Sequence, residues 1–161
     1  MQILKSKEDK SVNFVNDKLH ESRFVQRSED YFIIYLSSQN GCNKSCRFCH
    51  LTQTGQTNFD DVSIEEYLEQ SQLPLQHYDN LISDGQVRAE KVNFNFMARG
   101  EVFSNKNILK NSLELIDKLK QQAQIRNLNS FFNFSTIGPD DIKTKSFNDI
   151  FTDNQNITIY Y

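Results

Sequence analysis

A chain of 161 residues, 37% hydrophobic and 12% aromatic, is one domain's worth and carries enough apolar surface for a sizeable core. Its net charge of −3 and pI near 5.6 exclude the basic excess with which phosphate-binding domains usually hold nucleic acid. No apolar run is long enough to cross a bilayer and the polar first thirty residues contain no signal-peptide core, so a cytoplasmic protein with no membrane partner is expected.

Residues 1–30 read as an N-terminal extension. Lys5, Lys7 and Lys10 precede a weak apolar pattern, Val12, Phe14, Val15 and Leu19, which fits an appended helix better than a strand. Tyr31 to Leu36, "YFIIYL", is β-branched and aromatic and runs into polar residues and Gly41, so it reads as a buried strand leading to a loop. Ser63 with Glu66 has the form of a capping box, and Ile64, Tyr67 and Leu68 follow at helical spacing. A helix is expected from Ile64 to Gln72, stopped by Pro74. Leu75 to Val87 is ambiguous, with a second helical piece around Tyr78 to Ser83 ending near Gly85.

In "KVNFNFMARGE", Val92, Phe94 and Phe96 alternate with Lys91, Asn93 and Asn95, which is a second strand with a glycine at its carboxyl end. Ile108, Leu109, Leu113, Leu115, Ile116 and Leu119 mark the best amphipathic helix of the chain. "SFFNFSTIG" is a third strand, a short helix follows around Asp140 to Phe151, and "NITIYY" begins a fourth strand. The order β-α-β-α-β-α-β implies an α/β fold of parallel strands joined by right-handed crossovers, in which chemistry collects at the carboxyl ends of the strands. A fourth strand with no helix after it leaves a sheet edge uncovered, so the chain reads as the first part of a larger barrel or as one half of a two-chain assembly.

All three cysteines, Cys42, Cys46 and Cys49, fall within eight residues just past the first of these strands. An odd, tightly clustered set in a reducing compartment argues against disulfides and for a metal or redox centre. Thiolates three and two residues apart on a loop can converge on one soft metal. A closed zinc site needs a fourth ligand, for which His50, His77 and His20 are the candidates, although adjacent residues such as Cys49 and His50 rarely both reach one tetrahedral ion. A four-iron cluster held by only three cysteines keeps one iron open, as a substrate-binding cluster requires. Redox-sensing thiols with no metal are a third reading.

The Cys-x3-Cys-x2-Cys spacing with Phe48 before the last cysteine resembles the signature of the radical S-adenosylmethionine (radical SAM) enzymes. More narrowly, "YLSSQNGCNKSCRFCHLTQTGQ" is similar to the cysteine loop of the RNA adenine-C2 methyltransferases. "FNFMARGEVF" resembles that family's "M-G-M-G-E-P" turn, and "FSTIG" its "L-S-T-S-G". Together the three motifs cover most of residues 21 to 161. The resemblance implies that residues 31–161 form a partial (βα) radical SAM barrel of about four parallel strands with crossover helices, its C-terminal part absent. It further implies a [4Fe–4S] cluster on Cys42, Cys46 and Cys49, and S-adenosylmethionine (SAM) bound at the open iron by a site that includes Phe48, Gly100, Glu101 and Ser135. Reductive cleavage of SAM to a 5′-deoxyadenosyl radical, an electron donor such as flavodoxin, and ribosomal or transfer RNA as a methylated substrate are implied with it. Read without the resemblance, a carboxylate at a strand end suits an ammonium group and a glycine beside it admits a ligand to the backbone. The bland readings are a solvated Glu101, a turn glycine at Gly100 and an ordinary strand-end hydroxyl at Ser135.

The family pattern fails at the thiols that carry methyl transfer. The catalytic cysteine seven residues before the first cluster cysteine is here Tyr35, read as core filling rather than a redox group, and the methyl-carrying cysteine of the family's C-terminal segment has no counterpart. Val102 replaces the proline of the Gly-Glu-Pro turn, and Arg99 stands where the family has a small residue, in a position to clash with or recruit an anion. No catalytic residue is assigned. The competing reading is a degenerate, non-enzymatic module that binds an iron–sulfur cluster or zinc.

Overall fold

The computed structural model describes residues 1–85, 88–151 and 156–161. One sheet of seven strands runs through the molecule in chain order: β1 (Gln2–Lys5), β2 (Val12–Val15), β3 (Glu21–Gln26), β4 (Tyr31–Leu36), β5 (Lys91–Phe96), β6 (Asn129–Ser135) and β7 (Ile157–Tyr160). The first four strands pair antiparallel, and β4 to β7 pair parallel. The fold is therefore α/β with a mixed sheet, open at β1 and β7 among the described residues rather than closed into a barrel.

Strand alternation sorts side chains onto two faces. Phe32, Ile34 and Leu36 of β4, Val92, Phe94 and Phe96 of β5, and Phe132 and Phe134 of β6 are buried on one face. Phe94 stacks on Phe132 at 5.5 Å and Phe96 on Phe134 at 4.4 Å, so neighbouring strands are joined by aromatic pairs as well as backbone bonds. The helices cover this face: α2 (Ile64–Ser83), α3 (Lys106–Gln124) and the single turn α4 (Phe147–Ile150), while the short α1 (His50–Gln53) lies in the cysteine loop. The opposite face, carrying Tyr35, Asn93, Asn95, Phe131 and Asn133, faces no helix of the described chain and is called here the open face.

Residues 1–30 form no helix. They make the antiparallel strands β1, β2 and β3, and β3 hydrogen-bonds to β4. Val12 and Phe14 are buried at a spacing of two, the strand period, while Leu19 is 51% exposed at φ +65° in the turn. Asn16 builds that turn by accepting from the amides of Lys18 and His20, a local side-chain-to-backbone bond that competes with helix.

The capping box is present, with the Ser63 hydroxyl accepting from the Glu66 amide and the Glu66 carboxylate accepting from the Ser63 amide. The helix it starts does not stop at Pro74 but continues to Ser83. An interior proline costs about 3 kcal/mol, and the face that α2 buries outweighs it. Tyr67, Leu75 and Tyr78 are at most 2% exposed, Tyr78 stacks on Phe32, and its hydroxyl accepts from the Ala89 amide. Val87, the end of the stretch read as ambiguous, lies outside the described residues. Asp140 to Phe151 resolves into a 3-10 turn at Asp140–Ile142 and the separate α4, because Ser146 and Asp149 form a fresh capping box. No helix among the described residues is long and apolar enough to cross a membrane.

Candidate functional site

Because β4, β5 and β6 are parallel, their carboxyl ends share one edge of the sheet, and the three sequence motifs meet there. A cleft of about 170 Å³ is lined by Cys42, Lys44, Cys46, Phe48, Cys49 and Leu51 from the cysteine loop. Met97, Ala98, Gly100 and Glu101 line it from the turn after β5, with Ser135 and Ile137 from the end of β6. All seven residues assigned to cluster or SAM, Cys42, Cys46, Phe48, Cys49, Gly100, Glu101 and Ser135, are thus in one place.

Ser37, Ser38 and Gln39, which lead into the cysteine loop, are at most 1% exposed. Polar groups that deep must be paired. The Ser37 amide donates to Gln70 Oε1 of α2, and Gln70 Nε2 donates back to the Ser37 carbonyl. The amides of Ser38 and Gln39 donate to the Arg99 carbonyl at 2.7 and 3.2 Å. Gln39 accepts from the Glu101 amide and donates to Asp61 at 2.8 Å. Asn105 then ties the loops together: its Nδ2 donates to the carbonyls of Ser38 and Val62, and its Oδ1 caps α3 by accepting from the amides of Asn107 and Ile108.

Two glycines are demanded by this packing. A Cβ at Gly41 would lie 2.1 Å from the Asn58 carbonyl oxygen, so the base of the cysteine loop closes only on glycine. Gly100 has φ +86°, and a Cβ there would lie 2.6 Å from Gln39 Cβ and 2.8 Å from Gln39 N. The turn after β5 and the entry to the cysteine loop are therefore in backbone contact. Above that contact the loop closes on itself, with the Cys42 amide donating to Gln56 O at 3.0 Å and the Cys49 amide to Cys46 O at 3.0 Å. The Arg99 side chain donates to the carbonyl of Leu19 and to Gln56 Oε1, while its Nε is buried without a partner. It staples the cysteine loop to the β2–β3 turn and does not line the cleft.

Glu101 is only 6% exposed. Oε1 accepts from the Phe103 amide and, at 2.6 Å, from the Thr136 hydroxyl, and Oε2 accepts from the Ile137 amide. A carboxylate offers about four acceptor sites. Three are filled by donors that fix its orientation, and one on Oε2 is left for a cationic donor in the cleft. Glu101 is therefore not a solvated loop charge. Thr136, next to Ser135, supplies the hydroxyl that meets it, while Ser135 lines the cleft from the end of β6.

Sequence reasoning also missed Lys44, which lies between two of the cysteines. Its Nζ is 3.4 Å from Asp141, whose carboxylate also accepts from the Ser104 hydroxyl. That hydroxyl, with Lys44 behind it, holds the Asp141 carboxyl below its ordinary range. Lys44 thereby links the cysteine loop to the segment after β6. Tyr35 is half-buried on the open face, in register with Arg23 and Asn95, and so fills no part of the helix-covered core.

The three thiols are free and half-buried. Burial pushes the Cys42 thiol up, and the charges of Cys46, Cys49 and Glu101 add to it, which marks the four groups as electrostatic neighbours. Among the described residues no three His, Cys, Asp or Glu side chains are gathered closely enough to hold a metal ion. The donor set nevertheless fits a soft cluster: three thiols on one loop, opening on one cleft. None of the three histidines lines the cleft beside the thiols: His20 and His77 lie away from it, and His50 is exposed at the start of α1. No protein-family model matches this chain, and no curated protein matches it.

Proposed function

We propose that the chain is a radical SAM iron–sulfur protein, built on a partial barrel whose parallel strands are β4 to β7 and related to the RNA adenine-C2 methyltransferases. The observation that carries this reading is the single cleft into which three motifs, read from three distant stretches of sequence, all open. Cys42, Cys46 and Cys49 would hold a [4Fe–4S] cluster. Bound there and reduced by a flavodoxin-type donor, such a cluster would supply the electron for reductive cleavage of SAM to methionine and a 5′-deoxyadenosyl radical.

The rest follows from the chain's own groups. Glu101, buried and oriented by three donors, presents its remaining acceptor site to the SAM ammonium, and a charge-assisted bond in such a site is stronger than a neutral one. Gly100 lets the turn after β5 pack directly on Gln39, which sets Glu101 at the cleft. Ser135 offers a hydroxyl at the end of β6, and Phe48, 85% exposed, is a flat apolar surface that ligand binding would cover. Methyl transfer by the family's cycle is not assigned, because Tyr35 stands where that cycle needs a cysteine. RNA as the substrate rests on the resemblance alone.

The alternative, a non-enzymatic metal module, is separated by elemental analysis of protein purified without oxygen. About four iron and four sulfide per chain support the radical SAM reading; one zinc and no iron would refute it.

A further inference from the structure

We infer that Asp141 and Ser104 are positioning residues that hold the Lys44 ammonium in the cleft, where its charge makes a cluster on Cys42, Cys46 and Cys49 easier to reduce. This rests on the reading of the cleft given above and adds to it the groups that govern electron entry.

Lys44 stands between Cys42 and Cys46 in the sequence, and among the described residues that line the cleft it is the one cation. Arg47, further along the loop, is exposed and does not line it. Against Lys44 stand Glu101 and, once the thiols bind metal as thiolates, three more negative groups. A lysine on a surface loop ordinarily leaves its chain free in water, where it keeps about 2 kcal/mol of rotamer entropy. The Lys44 side chain is instead only 23% exposed, and its Nζ lies 3.4 Å from Asp141 Oδ2. That oxygen also accepts from the Ser104 hydroxyl at 2.7 Å. Ser104 is buried and ends the 3-10 turn Val102–Ser104, which directly follows Glu101. One short block of chain therefore carries the carboxylate of the cleft and the anchor of its cation.

A purely stabilising role explains little of this arrangement. The Lys44–Asp141 pair is long and its carboxylate is 43% exposed, and ion pairs of that kind contribute about 0–1 kcal/mol. The effect on the cleft is the larger one. Reduction takes [4Fe–4S]2+ to [4Fe–4S]1+ as the flavodoxin-type donor, or dithionite in its place, gives up one electron; no proton moves and no bond forms or breaks. The reduced form carries one more negative charge, so a fixed cation in the same cleft favours it, and net charge is among the quantities that set cluster potentials. Because the thiols are half-buried, salt and solvent screen that charge less than they do at the surface.

The test is a redox titration, without SAM, of the full chain anaerobically reconstituted with iron and sulfide, with the reduced cluster followed by its electron paramagnetic resonance signal. In Lys44→Gln the ratio of reduced to oxidised cluster at the wild-type midpoint should fall at least about three-fold, which is about 28 mV for a one-electron couple. Lys44→Arg keeps the charge and should stay within that limit. Asp141→Asn separates field from position by sign: removing a negative charge alone raises the potential, whereas releasing Lys44 lowers it, and a fall of at least about three-fold is expected. Ser104→Ala should shift the potential the same way, and Lys44→Gln combined with Asp141→Asn should match Lys44→Gln alone. A smaller shift in Lys44→Gln, an unchanged or raised potential in Asp141→Asn, or loss of iron from Lys44→Gln overturns the inference. Iron bound in the wild type with no such shifts sinks the inference alone, while a wild type that takes up no iron sinks the reading of the cleft with it.

Discussion

Glu101 shows how much a single side chain's surroundings decide. In the sequence it is one of 21 acidic residues; in the fold it is buried and held by two amides and a hydroxyl. Glu101→Gln keeps the shape but turns one oxygen into a donor facing donors and removes the charge. It should leave iron content unchanged and weaken SAM binding by about thirty-fold, the worth of one hydrogen bond to a charged group, read as a shift in SAM Kd. Gly100 and Gly41 act through what they lack. Gly100→Ala meets both a left-handed φ and a 2.6 Å contact, and Gly41→Ala meets a carbonyl at 2.1 Å. Each should cost about 2 kcal/mol or more in urea unfolding.

At the scale of elements, α2 and α3 are fixed to the strand ends by buried amides rather than by apolar contact alone. Asn105→Ala removes the cap of α3 and strands the carbonyls of Ser38 and Val62, so a loss of about 2–4 kcal/mol is expected in the same measurement. Under β2 and β3, α2 carries His77, which packs edge-on to Phe24 at 4.9 Å and whose Nε2 is buried without a partner. Burial lowers its pKa from the ordinary 6.5, and Lys5 adds to this. The folded state thus resists a proton that the unfolded state accepts. The stability this contributes is present above pH 6.5 and is lost as pH falls from there through the lower folded value. His77→Phe should flatten that acid limb, measured as urea midpoints between pH 7 and pH 5, where about 1.4 kcal/mol per pH unit is the largest slope one group can give.

Across the whole molecule, the parallel half was legible because its strands alternate cleanly: Val92, Phe94 and Phe96 point one way and their neighbours the other. The cleft was legible for the same reason, since three motifs at three parallel strand ends must share an edge. The first thirty residues were misread because Val12, Phe14 and Val15 are too few to separate periods of two and 3.6, and the turn signal lay in the Asn16 side chain. Pro74 was misread because a local penalty was weighed without the tertiary face that offsets it. Gln70 and Asn105 left no signal in the sequence, and Gln39 and Thr136, though inside matched motifs, showed nothing of their roles, since all four depend on partners 33 to 67 residues away.

The central claim is that the cleft makes a radical from SAM, and its most direct test is product analysis. Anaerobically reconstituted chain is reduced with dithionite in the presence of SAM, and 5′-deoxyadenosine and methionine are quantified alongside the Cys46→Ser variant. Equal amounts of both products from the wild type, and neither from Cys46→Ser, are predicted. A wild-type chain that binds iron yet leaves SAM intact, or a Cys46→Ser variant that cleaves it equally well, would contradict the account.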